Sequence, residues 1–265
     1  MGFHITDMQL NVLFQTWQTN YHIYAPRNFS GGGRFSDTDC IRYGKIEHAD
    51  EIVFDKKSDY SFKEVLTPVS QTRDSSLRRA NRKKPIFPQK GAVIFLRSCD
   101  LYALKRLDDM YLHNSPADYY YQHLRDNIKI VLMGCEHSFE NCFCVSMGTN
   151  VSTKYDMSID RQPDGTYLVD CKDEAWVKQL VQAGCEQQEV IPAHVTENQV
   201  TVQVPENLTA EVAKSTMWRN TIAAASTVDV AILSVLPVPA LLCRISFIVR
   251  MARSESAVVS GPPVW

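Results

Sequence analysis

The sequence predicts a mixed α/β (α+β) fold: an N-terminal domain of strands and helices that carries a metal-binding loop of cysteines. Two short apolar runs, residues 92–96 (AVIFL) and 128–133 (IKIVLM), have the length and composition of buried strands. Between them Leu101, Leu104, Leu107 and Met110 recur near helical spacing. Asp164-Gly165, flanked by SIDRQP and TYLVDC, has the residues of a tight hairpin turn.

In chain order, a helical stretch is expected at 5–18, followed by TNYHIYAP and a loop at Gly31-Gly32-Gly33. Ile41, Tyr43 and Ile46, within GRFSDTDCIRYGKI, suit a short strand. Residues 73–84 hold Arg73, Arg78, Arg79, Arg82, Lys83 and Lys84, a solvated basic loop closed by Pro85 and Pro88 or else a docking patch for an acidic partner. The first apolar run leads to Cys99, and Asp100 is expected to cap the helix that follows. The second run ends at Gly134-Cys135. Twice, then, a buried strand delivers a cysteine at its C-terminal end, the edge where open α/β sheets bind ligands. Helices are expected at 175–183 and 206–218. The expected division is 1–205 for the domain with the cysteine site, 206–220 for a connecting helix and 221–265 for a tail of different composition.

Charge and cysteine usage narrow the function classes. The 265 residues carry 28 Lys and Arg against 30 Asp and Glu, a net charge of -2 that gives no general argument for nucleic acid or an anionic membrane. Eight cysteines are too sparse for a disulfide scaffold. The opening MGFHITDMQL has no basic region followed by an apolar run, so a secretory signal is not expected. MGFHIT also fits the short myristoylation pattern. A cytoplasmic location follows, where clustered cysteines point to metal or redox work. No GxSxG, P-loop or GxGxxG motif is present.

Cys135, Cys142 and Cys144 fall within ten residues in GCEHSFENCFCVSMG, and Cys99 joins them if the two apolar strands are neighbours. Thiolates are soft ligands that suit iron–sulfur clusters or zinc, and four around one small volume satisfy a 4Fe-4S cubane. The spacing departs from the CxxC pairs usual for zinc. Gly134 and Gly148 permit the turns that such a loop needs. Asp100 is an alternative oxygen ligand. His137 is either a donor to the site or an ordinary loop residue. Cys40, Cys171 and Cys185, isolated in sequence, are expected to be small buried hydrophobes. Three readings stay open on residues alone: an iron–sulfur electron carrier, a zinc-stabilised protein-interaction module with no redox role, and an α/β domain with no metal whose cysteines are core residues.

GRFSDTDCIRY, FLRSCDLYALKRLDDMY and VLMGCEHSFENCFCVSMGTN resemble the A subunit of the anaerobic sulfite reductase and, more distantly, the β subunits of cytoplasmic sulfur-reducing hydrogenases. The resemblance runs from near the N-terminus to about Arg219. It implies a non-catalytic iron–sulfur electron-transfer subunit, with a flavin subunit that oxidises NADH and a sirohaem subunit that reduces sulfite to sulfide as its partners. It implies neither nucleic acid nor membrane. In that family a ferredoxin-type domain with CxxCxxCxxxCP follows the helix that here ends near Trp218.

The sequence departs from the family at that point. Residues 221–265 hold only five charged side chains, Asp229, Arg244, Arg250, Arg253 and Glu255. When the codons for 222–239 are read one base earlier, Ala225, Val228, Ala231 and Val235 can each become cysteine. The stretch then reads YSRCINCGRCNFVCPTCP, and the continuation through Arg244, residues 240–261, becomes RFTVQDIFYRPDGTERERRRVW. The sequence therefore reads as a family member whose ferredoxin domain is lost to a frameshift from about Thr221, leaving a tail with no fold expected. Residues 228–249 are long enough to cross a bilayer, but Asp229, Pro237, Pro239 and Arg244 argue against it.

Overall fold

The two apolar runs become neighbouring parallel strands, and their alternation sets up two cores. In the computed structural model, which describes residues 1–35, 37–67, 88–114, 116–203 and 206–214, they are β4 (Gly91–Arg97) and β5 (Ile128–Met133). Val93, Phe95, Val131 and Met133 enter one hydrophobic core, and Ile94, Leu96, Ile130 and Leu132 the other. Strands buried on both faces have no need of polar positions, which is why these runs are nearly continuous.

Around them lie β1 (Gly2–Ile5), β2 (Tyr21–Phe29), β3 (Cys40–Ile46), β6 (Met157–Arg161), β7 (Tyr167–Cys171) and β8 (Glu186–Gln187). They form one eight-stranded sheet in the order β3-β2-β4-β5-β6-β7-β1-β8. The central β2, β4, β5 and β6 are parallel, while β3, β7, β1 and β8 pair antiparallel at the flanks. The hairpin expected at Asp164-Gly165 joins β6 to β7, and Gly165 takes φ +84°, a conformation that favours glycine.

Helices cover both faces. On the first, α1 (Asp7–Trp17) and α5 (Glu174–Gln182) bury Leu10, Phe14, Trp17, Trp176 and Leu180. Thr6 caps α1 by accepting from the Gln9 N–H, and Asp173 caps α5 by accepting from the N–H groups of Ala175 and Trp176. Trp17 stacks on Trp176 at 4.3 Å. On the second face, α2 (Lys63–Leu66), α3 (Ser98–Asp108) and α4 (Tyr119–Asp126) supply Leu66, Leu101, Leu104, Leu107 and Tyr121. A π-helical turn, Asp109–His113, continues α3.

One sequence expectation changes. Asp100 is not the N-cap of α3: the helix begins at Ser98 with Arg97 at the cap position, and Asp100 sits a turn inside. Its carboxylate still serves the helix start, because Oδ2 accepts from the Arg97 N–H at 3.4 Å. TNYHIYAP opens β2, and the strand runs through Pro26. The proline is tolerated because β2 pairs with β4 only over Tyr21–Tyr24, so by Pro26 that side of the strand has no ladder.

Met1–Gln203 forms one compact unit and Val204–Trp265 a second, of which the structure describes α6 (Leu208–Lys214). The basic stretch 73–84 and the expected out-of-frame tail lie outside the described residues. Among the described residues, no helix is long and apolar enough to cross a membrane.

Candidate metal centre

Parallel pairing of β4 with β5 sets Arg97 opposite Met133. Cys99 follows β4 by two residues, in the first turn of α3, and Cys135 follows β5 by two. Both chains leave the sheet at one edge, so the register delivers the two thiols side by side. The long connection from β5 to β6 carries Cys142 and Cys144 at the same edge. It is held to α3 by the Tyr102 hydroxyl, which donates to the Val151 carbonyl at 3.1 Å.

The loop is a chain of tight turns. Cys142 N–H donates to the Phe139 carbonyl, and Gly148 N–H to that of Val145. Gly148 takes φ +62°, which explains glycine there. Gly134 is glycine for a different reason: a Cβ at that position would lie 1.6 Å from Asp160 Oδ1.

Two of the thiols, those of Cys99 and Cys135, are shifted by their surroundings. Burial pushes the Cys99 thiol up to about 12, and Asp100, Cys135 and Cys144 push it in the same direction. Burial also raises Cys135, as do Cys144 and Cys142, while Arg97 pulls it back down. Cys99 and Cys135 are thus near enough to each other and to Cys144 for charge on one to reach the next. All seven described cysteines are free thiols. Among the described residues, no three His, Cys, Asp or Glu side chains surround one point closely enough to hold a single ion.

Arg97 is the polar centre of this edge. It is only 5% exposed. Its guanidinium donates to Cys135 Sγ at 3.2 Å, to the Phe54 carbonyl at 2.7 Å and to the Lys56 carbonyl at 3.3 Å, and it lies over the Phe139 ring. Among the described residues no carboxylate forms a salt bridge with it. A buried cation with neutral oxygen partners is costly unless a negative charge stands nearby. Cys135 would supply one when ionised by metal binding.

Asp100 is engaged through Oδ2, which accepts from the Tyr43 hydroxyl at 3.2 Å, and burial lifts its carboxyl above the usual range. His137 is exposed and lines a cleft of about 560 Å³ together with Arg97, Cys135 and Asp160. Cys40, Cys171 and Cys185 are buried, as expected, at 6%, 1% and 8% exposure.

Sequence reasoning missed Arg97, Asp160 and the segment 193–202. Arg97 carried a local signal, a charge at the end of a buried strand and two residues before a cysteine. The others carried none. Asp160 accepts the Ala193 N–H at 2.9 Å, and the Ala193 carbonyl accepts the Cys135 N–H at 3.1 Å. A far segment is thereby tied to the cysteine loop.

No family model matches the chain. It is similar to the sulfhydrogenase 2 subunit beta of Pyrococcus furiosus, with 30% identity over 146 residues, 54% of this chain and 40% of the relative. The chain thus spans less than half the length of that curated relative. No solved structure matches.

Proposed function

We propose that the chain is an iron–sulfur electron-transfer subunit whose cluster is held by Cys99, Cys135, Cys142 and Cys144. The observation that carries this reading is the parallel register that brings Cys99 and Cys135 off neighbouring strands at one edge, where Arg97 donates to Cys135 Sγ with no carboxylate salt bridge among the described residues. The residues fit the group. Their soft sulfur donors suit iron, and a cubane takes a thiolate at each of several corners, where a single ion would need all of them about 2.3 Å from one point. Similarity to a sulfhydrogenase beta subunit supports a redox role in a multi-subunit complex.

When bound, such a cluster takes up and releases one electron at a time. The protein's own part is to place the four sulfurs, exclude water on the α3 side and set the surrounding charge. Arg97 stabilises negative charge on Cys135. In the finer reading, drawn from the resemblance, electrons pass from a flavin subunit that oxidises NADH to a sirohaem subunit that reduces sulfite to sulfide, in the cytoplasm. In the same reading the ferredoxin-type clusters of the family are lost with residues 221–265, so this chain holds one cluster of the relay.

The test is anaerobic purification with iron and acid-labile sulfide analysis. About four irons and four sulfides per folded chain are expected for a cubane. A folded, anaerobically prepared chain with no iron, or with stoichiometric zinc instead, overturns the proposal. For the tail, resequencing the DNA around codons 215–225 is decisive: a clean in-frame read of the printed sequence removes the frameshift.

A further inference from the structure

The cysteine loop is closed by a piece of chain that lies some fifty residues further on. The Asn198 carbonyl Oδ1 accepts the Val145 N–H at 2.7 Å. A backbone N–H cannot accept, so this bond fixes which end of the amide is oxygen. The Nδ2 end then faces Ser138 Oγ at 3.1 Å and Cys144 Sγ at 3.6 Å. Gln199 donates to the Ser138 carbonyl at 3.0 Å, and the Val202 N–H to Ser146 Oγ at 3.1 Å. Asn150 donates to the Val195 carbonyl at 2.9 Å. Residues 193–202 contain no helix or strand, and Val195, Asn198, Gln199 and Val202 all hydrogen-bond to the loop.

We infer that residues 193–202 are a strap that clasps the cysteine loop, and that Asn198 is the positioning residue that orients Cys144 and donates a hydrogen bond to its sulfur. The inference deepens the iron–sulfur reading and rests on it for its redox consequence. One side chain does two things. Its oxygen pins the backbone at Val145, beside Cys144, and its amide hydrogen stabilises charge on the sulfur. Hydrogen bonds to cluster sulfurs shift the reduction potential upward, because the reduced state carries more negative charge.

Asn198→Asp separates the two tasks. It keeps an oxygen for the Val145 N–H, loses both amide hydrogens and adds a negative charge. In the iron-free chain, alkylation of Cys144 by iodoacetamide, followed by mass spectrometry, is expected to slow about tenfold, as for loss of a hydrogen bond to a charged group. In the iron-loaded chain the reduction potential is expected to move to more negative values. Ser138→Ala removes the other amide partner and is expected to leave both readouts unchanged. Unchanged Cys144 labelling together with an unchanged potential in Asn198→Asp overturns the inference. If Asn198→Asp does not fold, shown by buried Cys185 becoming reactive, Asn198→Ser carries the same readouts without the charge. Failure of the parent chain to take up iron overturns the iron–sulfur reading alone, and the labelling of Cys144 then decides the clasp.

Discussion

The guanidinium of Arg97 donates to the sulfur of Cys135 at 3.2 Å, from a position 5% exposed and with neutral oxygens as its other partners. Among the described residues, nothing else on this edge of the sheet places a buried positive charge against a thiol. Arg97→Gln keeps hydrogen-bonding capacity and removes the charge. Iron retained against a chelator is expected to fall about tenfold, from loss of a charge-assisted hydrogen bond. Arg97→Lys keeps the charge without the planar fork and is expected to lie between the two. Equal retention in all three proteins means that Arg97 does not act on Cys135.

The cysteines divide into two classes with different expected responses. Cys142→Ser and Cys144→Ser are expected to bleach the broad visible absorption of the iron-loaded chain. Cys185→Ser, at a buried site away from the loop, is expected to leave it intact. Unchanged absorption for a loop variant takes that residue out of the ligand set.

Gly134 tests the junction between β5 and the loop. Gly134→Ala drives a methyl into Asp160 Oδ1, with the Ala193 Cβ a further 3.2 Å contact. Overpacking of this kind destabilises by about 1–3 kcal/mol, read as a lower denaturant midpoint. Asp160→Ala in the same chain is expected to recover part of that loss, and strictly additive effects mean that the two residues do not meet.

Asp160 gives the iron-free chain a pH signature. Burial pushes its carboxyl up to about 6, and Glu136 adds repulsion. A carboxyl that ionises less readily in the folded chain than in the unfolded one binds its proton more tightly when folded. Its contribution to stability is therefore full below about pH 4 and is lost as pH rises through 6. Asp160→Asn fixes the neutral state, and is expected to exceed the parent by about 1–2 kcal/mol above pH 6 while matching it near pH 4. Parallel stability curves from pH 4 to 7 contradict this.

Much of the scaffold was legible because its signals are local. The apolar runs that became β4 and β5, the periodic leucines of α3 and the Asp164-Gly165 turn each report on residues within a few positions of one another. Asp100 misled because its residue type suits an N-cap and the third helical position equally well.

The four cysteines stand out as candidates in the sequence because thiols near two strand ends are a chemical signal as well as a positional one. Whether they share one place is a matter of register. It depends on β4 and β5 being adjacent and parallel, with Arg97 opposite Met133, and no local pattern encodes adjacency. Asn198 and Asp160 belong wholly to the tertiary structure. Asn198 reaches Cys144 across 54 residues, and Asp160 reaches Gly134 only because β6 lies beside β5. The sequence by itself determined which atoms are available for the chemistry. The folded chain decided which of them meet, and which buried charge and which amide stand against the sulfurs, because those contacts join segments whose closeness is set by sheet order.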